Sequence, residues 1–307
     1  MDDRYFAVRL HSLGDVVLAS GTVRAMSEAG ETIFATSPAY SAVGKRIPGN
    51  VTVKPVSGYK DLRRAADGCG ICVDLQNNLT TRISLLGKKP LRYSLNRGKR
   101  KSILKGSSEF MDWRAREYMQ TAGLSGDPEP VLARLGYPGK DCMDIGIVVG
   151  GRWPMKAIPA GVVTELARLF CDVLHARVFL IGSQADRKTA ELSADECGYR
   201  KVIPVAGEGG IEKLIGRIES LNLLVSPDSG PAHLGIALGV PTQVVFTATS
   251  PALGFFRKDH PGLFAVSGVP CRPCHKHGGR RCREGDEQCR KRLVPREIFQ
   301  EALCLIQ

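Results

Sequence analysis

Residues 221–251, LNLLVSPDSGPAHLGIALGVPTQVVFTATSP, constrain the fold more than any other stretch. An apolar strand runs through Pro-Asp-Ser-Gly-Pro into a helix, and a second apolar strand follows at once. Leu223, Leu224 and Val225 make a buried-strand run, Gly230 and Pro231 turn the chain, and residues 232–238 have helical composition ended by Gly239-Val-Pro. The next strand is expected at 243–246. Backbone N–H groups at Ser229 and Gly230 then fall at a helix N-terminus, where unsatisfied donors and the helix dipole favour an anionic oxygen. His233 lies in the first turn and can reach the same anion. Asp228 and Ser229 could equally do no more than cap this helix.

Strand and helix signals alternate elsewhere too. Strands are expected at 6–10, 32–35 and 72–75 with a helix over about 16–29, and, beyond the Gly-, Pro- and Asp-rich stretch 125–144, a strand at 145–149. A helix at 160–174, a strand at 177–181 and helices at 188–197 and 211–218 follow. Such alternation predicts parallel sheets covered by helices, with ligands at the carboxyl ends of the strands. At 307 residues the chain suits two domains of about 150 residues, each able to bury a core. The boundary is placed in 125–144, giving domains 1–140 and 141–307. No internal repeat or low-complexity tract is visible.

No stretch reaches the ~18 apolar residues that cross a bilayer, and Met1-Asp-Asp-Arg does not read as a signal peptide, so a cytoplasmic location is expected. Ten cysteines there point to thiols or metal ligands rather than disulfides. The formal net charge is +12, and no acid occurs between Asp74 and Glu109, a window holding Arg82, Lys88, Lys89, Arg92, Arg97, Lys99, Arg100, Lys101 and Lys105. Such a field attracts nucleic acid, anionic membrane or anionic substrate, or serves only solubility.

Tyr5–Gly21, YFAVRLHSLGDVVLASG, repeats the strand-turn-helix pattern. The pair Arg9-Leu-His-Ser-Leu-Gly-Asp-Val and Asp228-Ser-Gly-Pro-Ala-His-Leu, with Asp74-Leu-Gln-Asn-Asn, Gly150-Gly-Arg-Trp-Pro-Met-Lys156 and Leu180-Ile-Gly-Ser between them, resembles the ADP-heptose heptosyltransferases of glycosyltransferase family 9. The resemblance implies an α/β fold of two Rossmann-like domains facing across a cleft (GT-B type), with the acceptor on the first and the nucleotide sugar on the second. It implies that Asp15 is the general base that deprotonates the acceptor hydroxyl for inverting attack. A carboxylate at a helix N-terminus has modest proton affinity, so Asp15 could also orient the acceptor, or only stabilise its helix.

By the same resemblance Lys156 stabilises the departing diphosphate and Asp186 holds the ribose hydroxyls, while Asp228, Ser229, Gly230 and His233 complete the donor site. Many relatives carry Glu where Asp186 stands. His11, Ser12 and Gly14 sit on the acceptor side, as do Lys99, Arg100 and Lys101, which would meet an anionic lipid-linked saccharide at the inner face of the cytoplasmic membrane. The implied donor is ADP-heptose and the implied acceptor the lipopolysaccharide inner core, with no cofactor required for transfer.

Cys271-Arg-Pro-Cys274, followed by Cys282 and Cys289, could place four thiolates around a structural zinc or a single iron, with His275 and His277 as alternative ligands. Four-cysteine fingers hold iron in the autotransporter heptosyltransferases of the resembled family. Free thiols, merely buried or exposed, are the alternative. A protein heptosyltransferase keeps the fold and changes the acceptor. A metal-stabilised nucleic-acid-binding protein would use the basic run and the cysteine knuckle, but leaves the paired strand-turn-helix motifs unexplained, and no specific nucleic acid is expected.

Overall fold

The computed structural model describes residues 4–139 and 142–306, so the expected boundary at residues 140 and 141 lies outside the described residues. The chain divides into two compact units. One takes the residues up to Asn96 with Asp112–Arg134 and Ala237–Gly239; the other takes Arg97–Met111, Leu135–Ile236 and the residues from Val240. The basic segment 97–111, expected in the first domain, therefore belongs to the second unit.

The first unit is built on β1 (Tyr5–Val8), β2 (Thr32–Thr36), β3 (Val51–Pro55), β4 (Ile71–Asp74) and β5 (Leu91–Arg92), all parallel in the order β3-β2-β1-β4-β5. The second holds β6 (Asp144–Val148), β7 (Arg177–Ile181), β8 (Val202–Pro204), β9 (Leu223–Pro227), β10 (Thr242–Phe246) and β11 (Leu263–Ala265), parallel in the order β11-β10-β9-β6-β7-β8. In each sheet the chain starts at an interior strand, builds outward on one side, then returns to build the other. Strand order thus reverses between β1 and β4 and between β6 and β9, and ligands of open parallel sheets bind at the carboxyl ends beside such points.

Apolar runs make these strands because helices cover both faces. All five residues of β2, β6, β9 and β10 are buried. In the second unit Ile145, Ile147, Val225 and Val245 pack against Val163, Leu166 and Phe170 of the helix Ala160–Leu174, and Phe170 meets Phe299 edge-on at 5.1 Å. Phe6, Val8, Ile33 and Leu62 form the core of the first. The expected helix over 16–29 is in fact two, Leu13–Leu18 and Ser20–Ala29. A helix over Arg114–Thr121, not marked by the sequence motifs, packs beside the second of them.

Candidate active site

In the first unit the chain leaves β1 with Arg9, a buried cation at the edge of an apolar strand. Its Nη1 donates to the Leu75 carbonyl at 2.7 Å and its Nη2 lies 2.8 Å from Asp15 Oδ2. Two residues from the Arg114–Thr121 helix reach the other oxygen: Arg114 Nη1 stands 3.5 Å from Asp15 Oδ1 and the Tyr118 hydroxyl donates to it at 3.2 Å. Arg114 Nε and the Tyr93 hydroxyl share Glu117 Oε2 at 3.1 and 2.9 Å, and the Tyr93 and Tyr118 rings meet edge-on at 5.0 Å. Burial pushes both phenols up, so they remain donors at neutral pH. Burial opposes the charge of Arg114, but Tyr118, Tyr93, Asp15 and Glu117 outweigh it and hold the guanidinium cationic. Asp15 is therefore a carboxylate of fixed orientation.

The turn that carries Asp15 is shaped by the Asp74-Leu-Gln-Asn-Asn motif. Gln76 Oε1 accepts the backbone N–H groups of Leu10 and His11 at 3.1 and 3.3 Å, and Asp74 Oδ1 accepts those of Gln76 and Asn77 at 3.1 and 2.7 Å. Ser12 is forced to φ 71°, a left-handed conformation that costs a non-glycine residue. His11 and Ser12 are exposed there, Gly14 is buried, and Asp15 sits in the first helical turn.

In the second unit the strand-order reversal brings Lys156, from the turn after β6, to Asp228, directly after β9. Lys156 Nζ lies 2.8 Å from Asp228 Oδ2, which also accepts the Thr249 hydroxyl at 2.7 Å. Burial opposes the ionisation of Asp228, but Lys156, Thr249 and His233 together hold its carboxyl below the ordinary value. His233 is buried and stacked on Phe256 with ring centroids 4.2 Å apart. The helix begins at Gly230 as Gly230–Ala237, so Ser229 and Gly230 stand at its N-terminus. Gly235 lets that helix lie on the sheet, because a Cβ there would be 2.4 Å from Thr242 Oγ1.

The loop after β10 ties these parts together. Thr247 donates to the Met155 carbonyl at 2.7 Å, Thr249 to Asp228, and the Ala248 and Ala252 carbonyls accept the N–H groups of Cys274 and Met111 at 3.3 and 2.9 Å. The last contact explains the placement of Lys99, Arg100 and Lys101. They lie on the helix Arg97–Ile103, which packs on the turn Pro251–Leu253 of the second unit rather than on the first domain. The acid-free run is thus divided, and in the first unit Lys88 pairs with Asp67 at 3.0 Å and Arg92 with Asp74 at 3.6 Å.

Asp186, expected on ribose hydroxyls, closes its own loop. Its Oδ2 accepts the N–H and hydroxyl of Ser183 at 2.9 and 2.6 Å, and its Oδ1 the N–H of Gly151 at 3.2 Å. Gly150, at φ 72°, leaves room for that carboxylate. A cavity of about 350 Å³ opens at the carboxyl ends of β7 and β8, lined by Ile181, Val205, Glu208, Lys213, Leu214 and Arg217. No motif announces it, since its wall comes from a Gly-rich turn and one helix face.

The cysteines at 271, 274, 282 and 289 lie within electrostatic reach of one another. Burial raises the Cys289 thiol to about 11, helped by Cys274, Cys271 and Cys282, and burial with Cys271 and Cys282 raises Cys274. Among the described residues, however, no three His, Cys, Asp or Glu side chains are arrayed to hold a metal.

Residues 127–277 match the family model for glycosyltransferase family 9 (heptosyltransferase). That stretch is just under half of the chain. The matched residues include Lys156, Asp186, Asp228 and His233. Lipopolysaccharide heptosyltransferase 1 of Pseudomonas aeruginosa PAO1 is 30% identical over 128 residues, 41% of this chain and 35% of that protein, so the match spans about a third of the curated relative. Two solved structures are similar in fold. The E. coli ADP-heptose lipopolysaccharide heptosyltransferase II superposes with a TM-score of 0.72 at 17% identity, covering 99% of this chain and 98% of that one. The family 9 glycosyltransferase of Veillonella parvula gives 0.75 at 17% identity, covering 99% and 97%. The two parallel α/β units are accordingly of the GT-B class. No helix among the described residues is long and apolar enough to cross a membrane.

Proposed function

We propose that this chain is a family 9 inverting glycosyltransferase that moves heptose from ADP-heptose to an inner-core lipopolysaccharide acceptor at the cytoplasmic face of the inner membrane. The observation that carries the reading is the cluster of Lys156, Asp228 and Thr249 beside a helix N-terminus at the strand-order reversal of the second sheet. A cation there can neutralise the charge that grows on a departing diphosphate, and the N–H groups of Ser229 and Gly230 can take one of its oxygens. The cavity between β7, β8 and the helix Ile211–Glu219 is of a size for a nucleoside. Asp186 would then act mainly by fixing the Gly150-Gly151 turn, because its oxygens already hold Ser183 and Gly151.

In this scheme Asp15 accepts the proton of the acceptor hydroxyl, the oxygen attacks the anomeric carbon, and the carbon–oxygen bond to ADP breaks with inversion. Arg9, Arg114 and Tyr118 keep the carboxylate oxygens oriented through the step. Lys99, Arg100 and Lys101 would draw the anionic acceptor and the membrane surface toward the second unit. A structural zinc or iron on Cys271, Cys274, Cys282 and Cys289 belongs to the same reading, since a cation relieves the mutual opposition of four thiolates.

Thermal unfolding with ADP, ADP-heptose, UDP-sugars and GDP-sugars tests the donor class. Ligand at 100 times Kd should add about 2.7 kcal/mol. Stabilisation confined to adenine nucleotides and largest with ADP-heptose is expected. Stabilisation by another nucleotide class, or by none, would overturn the donor assignment.

A further inference from the structure

We propose that the cysteine-bearing segment 271–289 is the seat of the donor-site lysine, with Gly278 and the stack of His277 on Trp153 acting as positioning residues for Lys156. The inference rests on the reading of Lys156 as a phosphate ligand.

Gly278 takes φ 93°, and a Cβ there would lie 2.2 Å from Lys156 Cγ and 2.8 Å from its Cδ. That contact is with the root of the side chain rather than its free end, so the lysine cannot yield by swinging only its ammonium group. Trp153, three residues before Lys156, stacks on His277 with ring centroids 5.8 Å apart and an interplanar angle of 9°. His275 lies against the same indole at 6.0 Å. The segment is anchored in turn by the Cys274 N–H on the Ala248 carbonyl, one residue from Thr247, which holds Met155. Both ends of the tripeptide Pro154–Lys156 are therefore braced by residues far along the chain, and Nζ is delivered to Asp228.

A lysine has four rotatable stem bonds, and fixing it before the ligand arrives removes an ordering cost that binding would otherwise meet. The small residue at 278 and the flat one at 277 are what let the segment lie close enough to do so. Side chains at 278 should thus weaken phosphate binding while leaving the rest of the fold in place.

Gly278→Ala is compared with Gly279→Ala. Both positions are left-handed, at φ 93° and 72°, so both variants carry backbone strain, but at 279 the nearest atom to a Cβ is 3.6 Å away and Lys156 is not among its neighbours. The probe is ADP, followed by calorimetry, with a thermal melt of each variant. A lost charge-assisted contact corresponds to on the order of tenfold or more in Kd. We expect Gly278→Ala to raise the Kd for ADP by that factor and Gly279→Ala to leave it near wild type. In a Lys156→Ala background the Gly278→Ala change should have no further effect. If the wild type binds ADP and both glycine variants bind it equally well, the seat is refuted while the donor reading stands. Should Gly278→Ala weaken ADP as much with Lys156→Ala as without it, its effect does not run through the lysine and the inference also fails. A wild type that does not bind ADP removes the donor reading itself.

Discussion

Replacing Lys156 with methionine removes the cation from a buried carboxylate while keeping most of the stem. Asp228 is 5% exposed, its partner's side chain 18%, and their separation is 2.8 Å. Breaking a fully buried pair by removing one member costs about 3–5 kcal/mol, and the partial exposure of Lys156 brings the expectation to roughly 2–3 kcal/mol. For a unit of this size that is a fall of about 5–10 °C in the melting temperature. In the wild type the depressed Asp228 carboxyl contributes stability that is present above its ordinary value of 3.8 and lost as the pH falls below it. In Lys156→Met burial acts against the same carboxylate with only Thr249 and His233 in opposition, so its pKa should rise and the group should destabilise increasingly as pH increases. The deficit relative to wild type is therefore expected to be largest at neutral pH and to shrink toward pH 4, read by thermal melts across that range. Adding Asp228→Asn should recover much of the loss at neutral pH. An equal deficit at every pH, or a double variant less stable than the single one, would refute this account of the pair.

Further outcomes follow from the other clusters. Asp15→Asn keeps the shape that Arg9, Arg114 and Tyr118 surround, so ADP binding should persist while turnover falls by about 10²- to 10⁴-fold; near-normal kcat would remove Asp15 as the base. Reversing Lys99, Arg100 and Lys101 to glutamate should weaken flotation with anionic vesicles by about 1 kcal/mol or more per residue, without altering ADP affinity, and unchanged vesicle binding would end the membrane-facing role. Elemental analysis is expected to find one zinc or iron per chain, lost on Cys274→Ser; its absence from protein purified without chelators would leave the four thiols free.

The strand-turn-helix motifs were legible because buried parallel strands need continuous apolar runs and their turns need Gly, Pro and small polar residues. The helix Ala160–Leu174 and strand Arg177–Ile181 lie where the apolar pattern puts them. Asp15 and Lys156 became candidates through the family resemblance of their motifs and Asp228 also through its place ahead of a helix at a strand end, but their partners could not be read from the sequence. Arg114 and Tyr118 come from a helix about 100 residues beyond Asp15. Arg9 carried a local signal, a lone cation in an apolar run that must find an acid when buried. The placement of Lys99, Arg100 and Lys101 was misread because sequence adjacency to the first domain says nothing of the Met111–Ala252 hydrogen bond that draws the segment to the second. Asp186 was read by analogy with a ribose ligand, while its nearest partners, Ser183 and Gly151, settle its oxygens locally.

The most direct test of the central claim is to incubate the protein with ADP-heptose and a heptose-deficient lipopolysaccharide core, following ADP release together with the mass and anomeric configuration of the product. The account predicts stoichiometric ADP and an acceptor heavier by one heptose in a linkage inverted relative to the donor, all lost in Asp15→Asn. Transfer with retention, or ADP-heptose left intact by a protein that binds it and meets the acceptor at saturating concentration, would contradict it.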